Sequence, residues 1–134
     1  EGTPLIDGIV AVLDRLDQSH IPYRVASNGS DRKMQITLGQ HPELWSRLSD
    51  KLFSAHRYET AKPEPNLMLL AADSAGVAPE RGVVIDDSPA GCTAGIRAGM
   101  RVLGFAAHDD GARLKATGAE VFHHMEQLPG LLEL

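Results

Sequence analysis

Several features that would send the reading of this chain elsewhere are missing or scarce. It carries a single cysteine, Cys92, in 134 residues, so no internal disulfide can form. No apolar run approaches the ~20 residues needed to cross a bilayer; Leu67 to Ala72 is among the longest. No signal-peptide pattern opens the sequence. These absences lead us to expect a cytoplasmic protein that does not work in a membrane. Basic residues are too few for a nucleic-acid binder: the formal net charge is −5, whereas phosphate backbones are bound by clustered Lys and Arg. A small phosphorylated molecule is still compatible, because one lysine and a bound dication reverse the field locally. The six histidines lack metal-ligand spacing. Gly91, Gly95 and Gly99 recur every four residues, too widely for a dinucleotide fingerprint. They read instead as a small-residue helix face packed closely on a sheet. No linker, repeat or low-complexity stretch interrupts the chain.

What is present is a chain rich enough in apolar residues, at 43%, to build a core. Ile6, Ile9, Val10, Leu13 and Leu16 follow a helical period, with Asp7 placed to start the helix. Residues 23–27 read as a strand. Ser30 to Leu38 and His41 to Leu48 read as helices, the second with Pro42 in its first turn. A short strand is expected over 52–55, and Pro65 opens a helix that stops at Gly76. Gly82 to Asp86 is continuously apolar and β-branched in its middle, which predicts a strand buried on both faces. A helix over 90–98, a strand over 101–105, a helix over 109–117 and a strand over 120–122 follow. A last helix over 124–132 is broken near Pro129. Alternating strands and helices predict an α/β domain with a mostly parallel sheet. In such sheets ligands sit outside the carboxyl ends of the strands.

Three short motifs fall where such a ligand would bind. Ser27-Asn28 ends the first strand. A hydroxyl beside a turn amide can hold one phosphoryl oxygen, although Ser-Asn-Gly-Ser is also strong turn chemistry. Lys62 precedes Pro63-Glu64-Pro65, a rigid lead into a helix that fixes the position of its ammonium. By itself it would read as a solvated lysine. Asp86-Asp87 follows the apolar strand directly. Two adjacent carboxylates there repel each other and lose solvation, and a hard divalent cation relieves both costs. Neighbouring side chains on a strand point opposite ways, so one of the two is expected to ligate directly. Cys92 reads as a small buried residue, and His123-His124 as a solvated surface pair.

Together with Lys33-Met34, Lys51 to Ser54, Pro89-Ala90-Gly91 and Ala98-Gly99-Met100, these motifs span nearly the whole chain. In their order and spacing they resemble the haloacid dehalogenase-like (HAD) hydrolase superfamily. The likeness is to the branch of the β-phosphoglucomutase and 6-phosphogluconate phosphatase-like proteins. The resemblance implies a three-layer, Rossmann-like core and assigns roles. Ser27 and Asn28 hold the phosphoryl group, Lys62 neutralises it, and Asp86 and Asp87 bind Mg2+, with Asp87 the direct ligand. Ser27 and Lys62 are thereby the catalytic candidates. It also implies a small phosphorylated metabolite of the sugar phosphate type as substrate, and an aspartyl-phosphate intermediate.

One departure is large. Family members open with an apolar strand ending in Asp-x-Asp-Gly-Thr, which supplies the nucleophile and the acid/base, and a cap usually follows. Here Leu5-Ile6-Asp7-Gly8 already matches the segment after the cap, and Glu1-Gly2-Thr3 only echoes the motif. The resemblance therefore describes a single core domain over residues 1–134 that lacks its first, central strand and its cap. Such a core is expected to be incomplete or inactive as it stands, a reading in keeping with a first residue other than Met. The alternative is a non-catalytic truncated relative serving as a binding or oligomerisation module. The absent strand belongs between those ending at Ser27 and Asp86, so those two strands are expected either to pair directly or to leave open edges, and the chain either to rearrange or to form a homodimer through such edges.

Overall fold

The computed structural model describes residues 9–27, 42–60 and 62–134. Asp7, Asn28 and the helix expected from Ser30 to Leu38 lie outside the described residues. Helix α1 (Ile9–Gln18) buries Leu13 and Leu16 of the expected stripe, but Val12 is buried where Val10 was expected, and Val10 is 40% exposed. Strand β1 (Val25–Ser27) lies parallel to β2 (Leu52–Ser54), with Ser27 opposite Ser54. Between them in sequence, helix α2 (Pro42–Leu48) begins at Pro42. Its Arg47 bridges back to Asp14 and Asp17 of α1 at 3.0 and 2.6 Å. A one-turn helix α3 (Ala55–Tyr58), absent from the sequence reading, follows β2 directly.

Helix α4 (Asn66–Ser74) ends as expected: Gly76 takes a left-handed φ of 71°, which spares a side chain the αL penalty. Strand β3 (Val83–Asp86) is followed by helix α5 (Pro89–Arg97) and strand β4 (Arg101–Phe105). Helix α6 spans only Ala112–Lys115, well short of the expected 109–117. The reason is local: the carboxylates of Asp109 and Asp110 accept from the amides of Gly111 and Ala112, and Gly111 sits at φ 76°. These aspartates cap the entry instead of joining the helix. Strand β5 (Glu120–Phe122) leads to a 3-10 turn at Met125–Gln127 and a final helix α7 (Leu128–Leu131). Pro129 lies in the first turn of α7, where its missing N–H costs nothing, so it starts that helix and does not break it.

The strands form two groups, β1-β2 and β3-β4-β5, parallel throughout. Strand β4 is the one buried on both faces. Its Leu103 and Phe105 join a core with α1, α2, β2 and the carboxyl-terminal segment, while Val102 joins a second core with α4, α5 and α6. The expectation for β3 is corrected. Val84 is buried, but Val83 and Ile85 are 38% and 37% exposed. Among the described residues β3 has a strand partner on one edge only. Ile85 stands beside Leu103 in register, yet Leu103 is covered and Ile85 is not.

The glycine reading holds in part. A Cβ on Gly95 would lie 2.6 Å from Val102 Cγ2 and 3.0 Å from Val84, so α5 does press on the sheet there. Gly99 is not on that face; it is a left-handed residue, φ 81°, just past the helix end, with open space around it.

Candidate functional site

The residues that matter cluster where β3 meets α5. Asp86 is the last residue of β3, and its carboxylate is held from three sides. Lys62 Nζ donates to Oδ2 at 2.8 Å. The Ser88 amide and hydroxyl donate to Oδ1 at 2.9 and 2.8 Å. Both partners of the Lys62–Asp86 pair are largely withdrawn from solvent, with side chains 11% and 10% exposed. The sequence reading placed Lys62 and the acidic motif at one edge of the sheet; the fold joins Lys62 to Asp86 across 24 positions.

Ser88 is the residue that reading undervalued. Besides fixing Asp86, its Oγ accepts from the Gly91 amide at 3.1 Å and so caps α5. Pro89 in the first turn completes a helix start that was legible in Asp-Ser-Pro. One hydroxyl thus anchors both the helix and the carboxylate. Gly91 is required by the same arrangement: a Cβ at this position would fall 1.9 Å from Asp86 Oδ2.

Asp86 and Asp87 line different cavities; Asp87 already lies past the end of β3, in the bend before α5. Asp86 lines a cavity of about 430 Å³ between β1 and β3. Asp87 is exposed and lines a smaller one of about 250 Å³ with His108, Asp109 and Arg113. Ser27 ends β1, half-buried, and its neighbour Ala26 lines the larger cavity with Asp86. Asn28 lies outside the described residues. Among the described residues no three His, Cys, Asp or Glu side chains gather as a ready-made metal cage. His123 and His124 are exposed; His123 Nδ1 lies 2.8 Å from the Ala106 carbonyl.

Cys92 is buried one turn into α5, its Sγ 3.8 Å from the Asp86 carbonyl oxygen. Burial pushes its thiol up to about 11, and the negative charges of Asp86 and Asp87 add to the effect. The thiol is therefore no nucleophile at neutral pH. Because the folded value lies above the ordinary 9.0, this group's contribution to stability is full below about pH 9 and is lost as pH rises towards 11. We expect the denaturation free energy to fall over that window in the parent, and to fall less in Cys92→Ala. An equal fall in both would assign the loss to other groups.

This is an α/β architecture with parallel strands and a charged constellation at a strand's carboxyl end. A model of the haloacid dehalogenase-like hydrolase family matches residues 1–99, and the chain belongs to that family. It is 33% identical over 128 residues to hexitol phosphatase A of Escherichia coli, and 37% identical over 126 residues to that organism's 6-phosphogluconate phosphatase. Those matches take in 96% and 94% of this chain but 57% and 55% of the relatives, so the chain spans little more than half their length. A HAD family hydrolase from Deinococcus radiodurans, solved with bound phosphate and sodium, superposes with a TM-score of 0.87 at 29% identity. The alignment covers 96% of this chain and 59% of that one. These likenesses bear out the expected superfamily and branch, and the α/β core.

Proposed function

We propose that this chain is the phosphate- and Mg2+-holding core of a phosphatase for a small phosphorylated metabolite, and that its own residues do not turn the ester over. The observation that carries this reading is the desolvated Lys62–Asp86 pair, with Ser88 bracing the carboxylate. Lys62 offers an ammonium held in place by a partner, suited to offset phosphoryl charge. Ser27, with Asn28 after it, supplies a hydroxyl and an amide for the remaining oxygens. Asp86 and Asp87 supply hard carboxylate oxygens. Mg2+ takes one or two carboxylates and keeps several waters, so the acidic pair fits it without a larger cage. When bound, the ion would neutralise charge on the phosphoryl group. The 134 residues contain no Asp-x-Asp-Gly-Thr segment, hence no aspartyl nucleophile of the family kind. The names of the two relatives favour a polyol or sugar-acid phosphate as the ester. On this reading residues 1–134 form one core domain without a cap.

The test combines thermal unfolding with a phosphate-release assay. Inorganic phosphate with Mg2+ should stabilise the chain, by about 2.7 kcal/mol at a hundredfold excess over the dissociation constant. Lys62→Met should abolish that gain. Incubation with 6-phosphogluconate or p-nitrophenyl phosphate should release no phosphate above the blank. Absence of any phosphate-dependent stabilisation overturns the binding reading. Magnesium-dependent release by the purified chain overturns the claim of no turnover.

A further inference from the structure

We infer, on the phosphatase reading above, that the smaller cavity beside Asp87 is the subsite for the far end of the ester, and that it takes a hydroxylated chain ending in a carboxylate held by Arg113. The cavity, of about 250 Å³, lies at the carboxyl end of β4. Asp87 borders it, so an ester whose phosphoryl group is tied to Asp87 through the metal has this space next to it. Pockets for whole drug-sized ligands begin near roughly 300 Å³, so this one suits part of a molecule, a few carbons long. Its walls are of two kinds. Phe105 and Leu114 offer apolar surface to C–H groups, while His108, Asp109 and Arg113 offer polar atoms to hydroxyls. The Asp109 carboxylate is fixed through Oδ1 by the Gly111 amide at 2.8 Å, and its Oδ2 can accept from a hydroxyl.

Charge selects the end group. Among the described residues the Arg113 guanidinium makes no hydrogen bond or ion pair, although Asp87 and Asp109 border the same cavity. A carboxylate meets its planar fork with two parallel charge-assisted bonds, which a single hydroxyl cannot do. A neutral polyol end leaves the fork to water. A second phosphoryl group would bring a charge of about −1.5 to −2 at pH 7 close to the two aspartates. A carboxylate brings less charge and meets less repulsion there. Of the two ester types proposed above, the cavity therefore favours the sugar acid over the polyol.

The test follows amide chemical shifts of the isotope-labelled full chain with Mg2+ present. 6-Phosphogluconate should bind at least about tenfold more tightly than sorbitol 6-phosphate, which keeps the phosphate and the carbon number but has a neutral end. Arg113→Gln should erase that preference: the dissociation constant for 6-phosphogluconate should rise roughly tenfold, while sorbitol 6-phosphate and inorganic phosphate bind as they do to the parent. Arg113 is exposed, so the melting temperature should stay within about 2 °C of the parent's. Gluconate in large excess, with no phosphate, should move the amides of 107–113 in the parent and not in Arg113→Gln. Equal affinity for the two esters, or a preference that survives Arg113→Gln, overturns the subsite while phosphate binding stands. Gluconate shifts confined to 107–113 without any response to inorganic phosphate would sink the phosphatase reading and keep Arg113 as a carboxylate site. Tighter binding of fructose 1,6-bisphosphate than of 6-phosphogluconate would overturn the choice of a carboxylate.

Discussion

Gly91→Ala should lower the melting temperature by about 8–16 °C and strip the chain of its phosphate-dependent stabilisation. The argument is steric first. The new Cβ would fall 1.9 Å from Asp86 Oδ2 and 2.1 Å from its carboxyl carbon. Carboxylate and methyl cannot share that space, so either Asp86 turns away or the first turn of α5 lifts. Overpacking of this kind costs about 1–3 kcal/mol. Turning Asp86 away also breaks its bonds to Lys62 and Ser88 and loosens the Ser88 cap, which is worth about 1 kcal/mol. The sum is about 2–4 kcal/mol, and at this chain length each kcal/mol shifts the midpoint by about 4 °C. Gly130→Ala is the control: nothing lies within 4 Å of its Cβ, and its midpoint should move by no more than about 2 °C. Similar melting curves for the two variants would mean that Asp86 is not fixed as described, and the site built on it would lose its foundation.

The sequence was informative where one local signal governs the outcome. Strand β4 fell at the expected residues because Arg101 to Phe105 has turn chemistry on both sides and covered faces above and below. Helix α4 did so because Pro65 and Gly76 punctuate it. Misreadings arose where two signals compete. Asp109 and Asp110 look like the first turn of a helix but bind the next amides as caps. Val83 to Ile85 has the composition of a doubly buried strand, yet burial depends on neighbours that no window of sequence contains. In the site, the acidic pair was visible because adjacent carboxylates after an apolar run are costly anywhere. Lys62 was expected at the same sheet edge, but its direct bond to Asp86 was not legible, because 24 residues separate them and the packing of α4 beside α5 closes that distance. The role of Ser88 was half visible: the helix start could be read, the hold on Asp86 could not.

The second large effect lies in that contact. Lys62→Met should cost about 3–5 kcal/mol, the loss expected when one partner of a buried pair is removed. Such a loss moves the midpoint down by more than about 10 °C. The cause is a carboxylate left in a site with little solvent, its side chain 10% exposed. Neutralising the other partner should reverse most of this. In the Lys62→Met, Asp86→Asn double variant the asparagine carbonyl can still accept from the Ser88 amide and hydroxyl, which now bond Asp86 Oδ1. Its stability should return to within about 1 kcal/mol of the parent, because apolar or neutral replacements of buried ion pairs are often tolerated. The coupling energy from the full cycle should therefore be at least about 2 kcal/mol, well above the 0.2–1 kcal/mol of exposed pairs. Phosphate-dependent stabilisation, by contrast, should stay absent in the double variant, because an isolated fold repair restores no cation. A coupling below 1 kcal/mol would show the pair to be an ordinary solvated bridge. A double variant that regains stability but not phosphate binding separates what the pair does for the fold from what Lys62 does for a ligand.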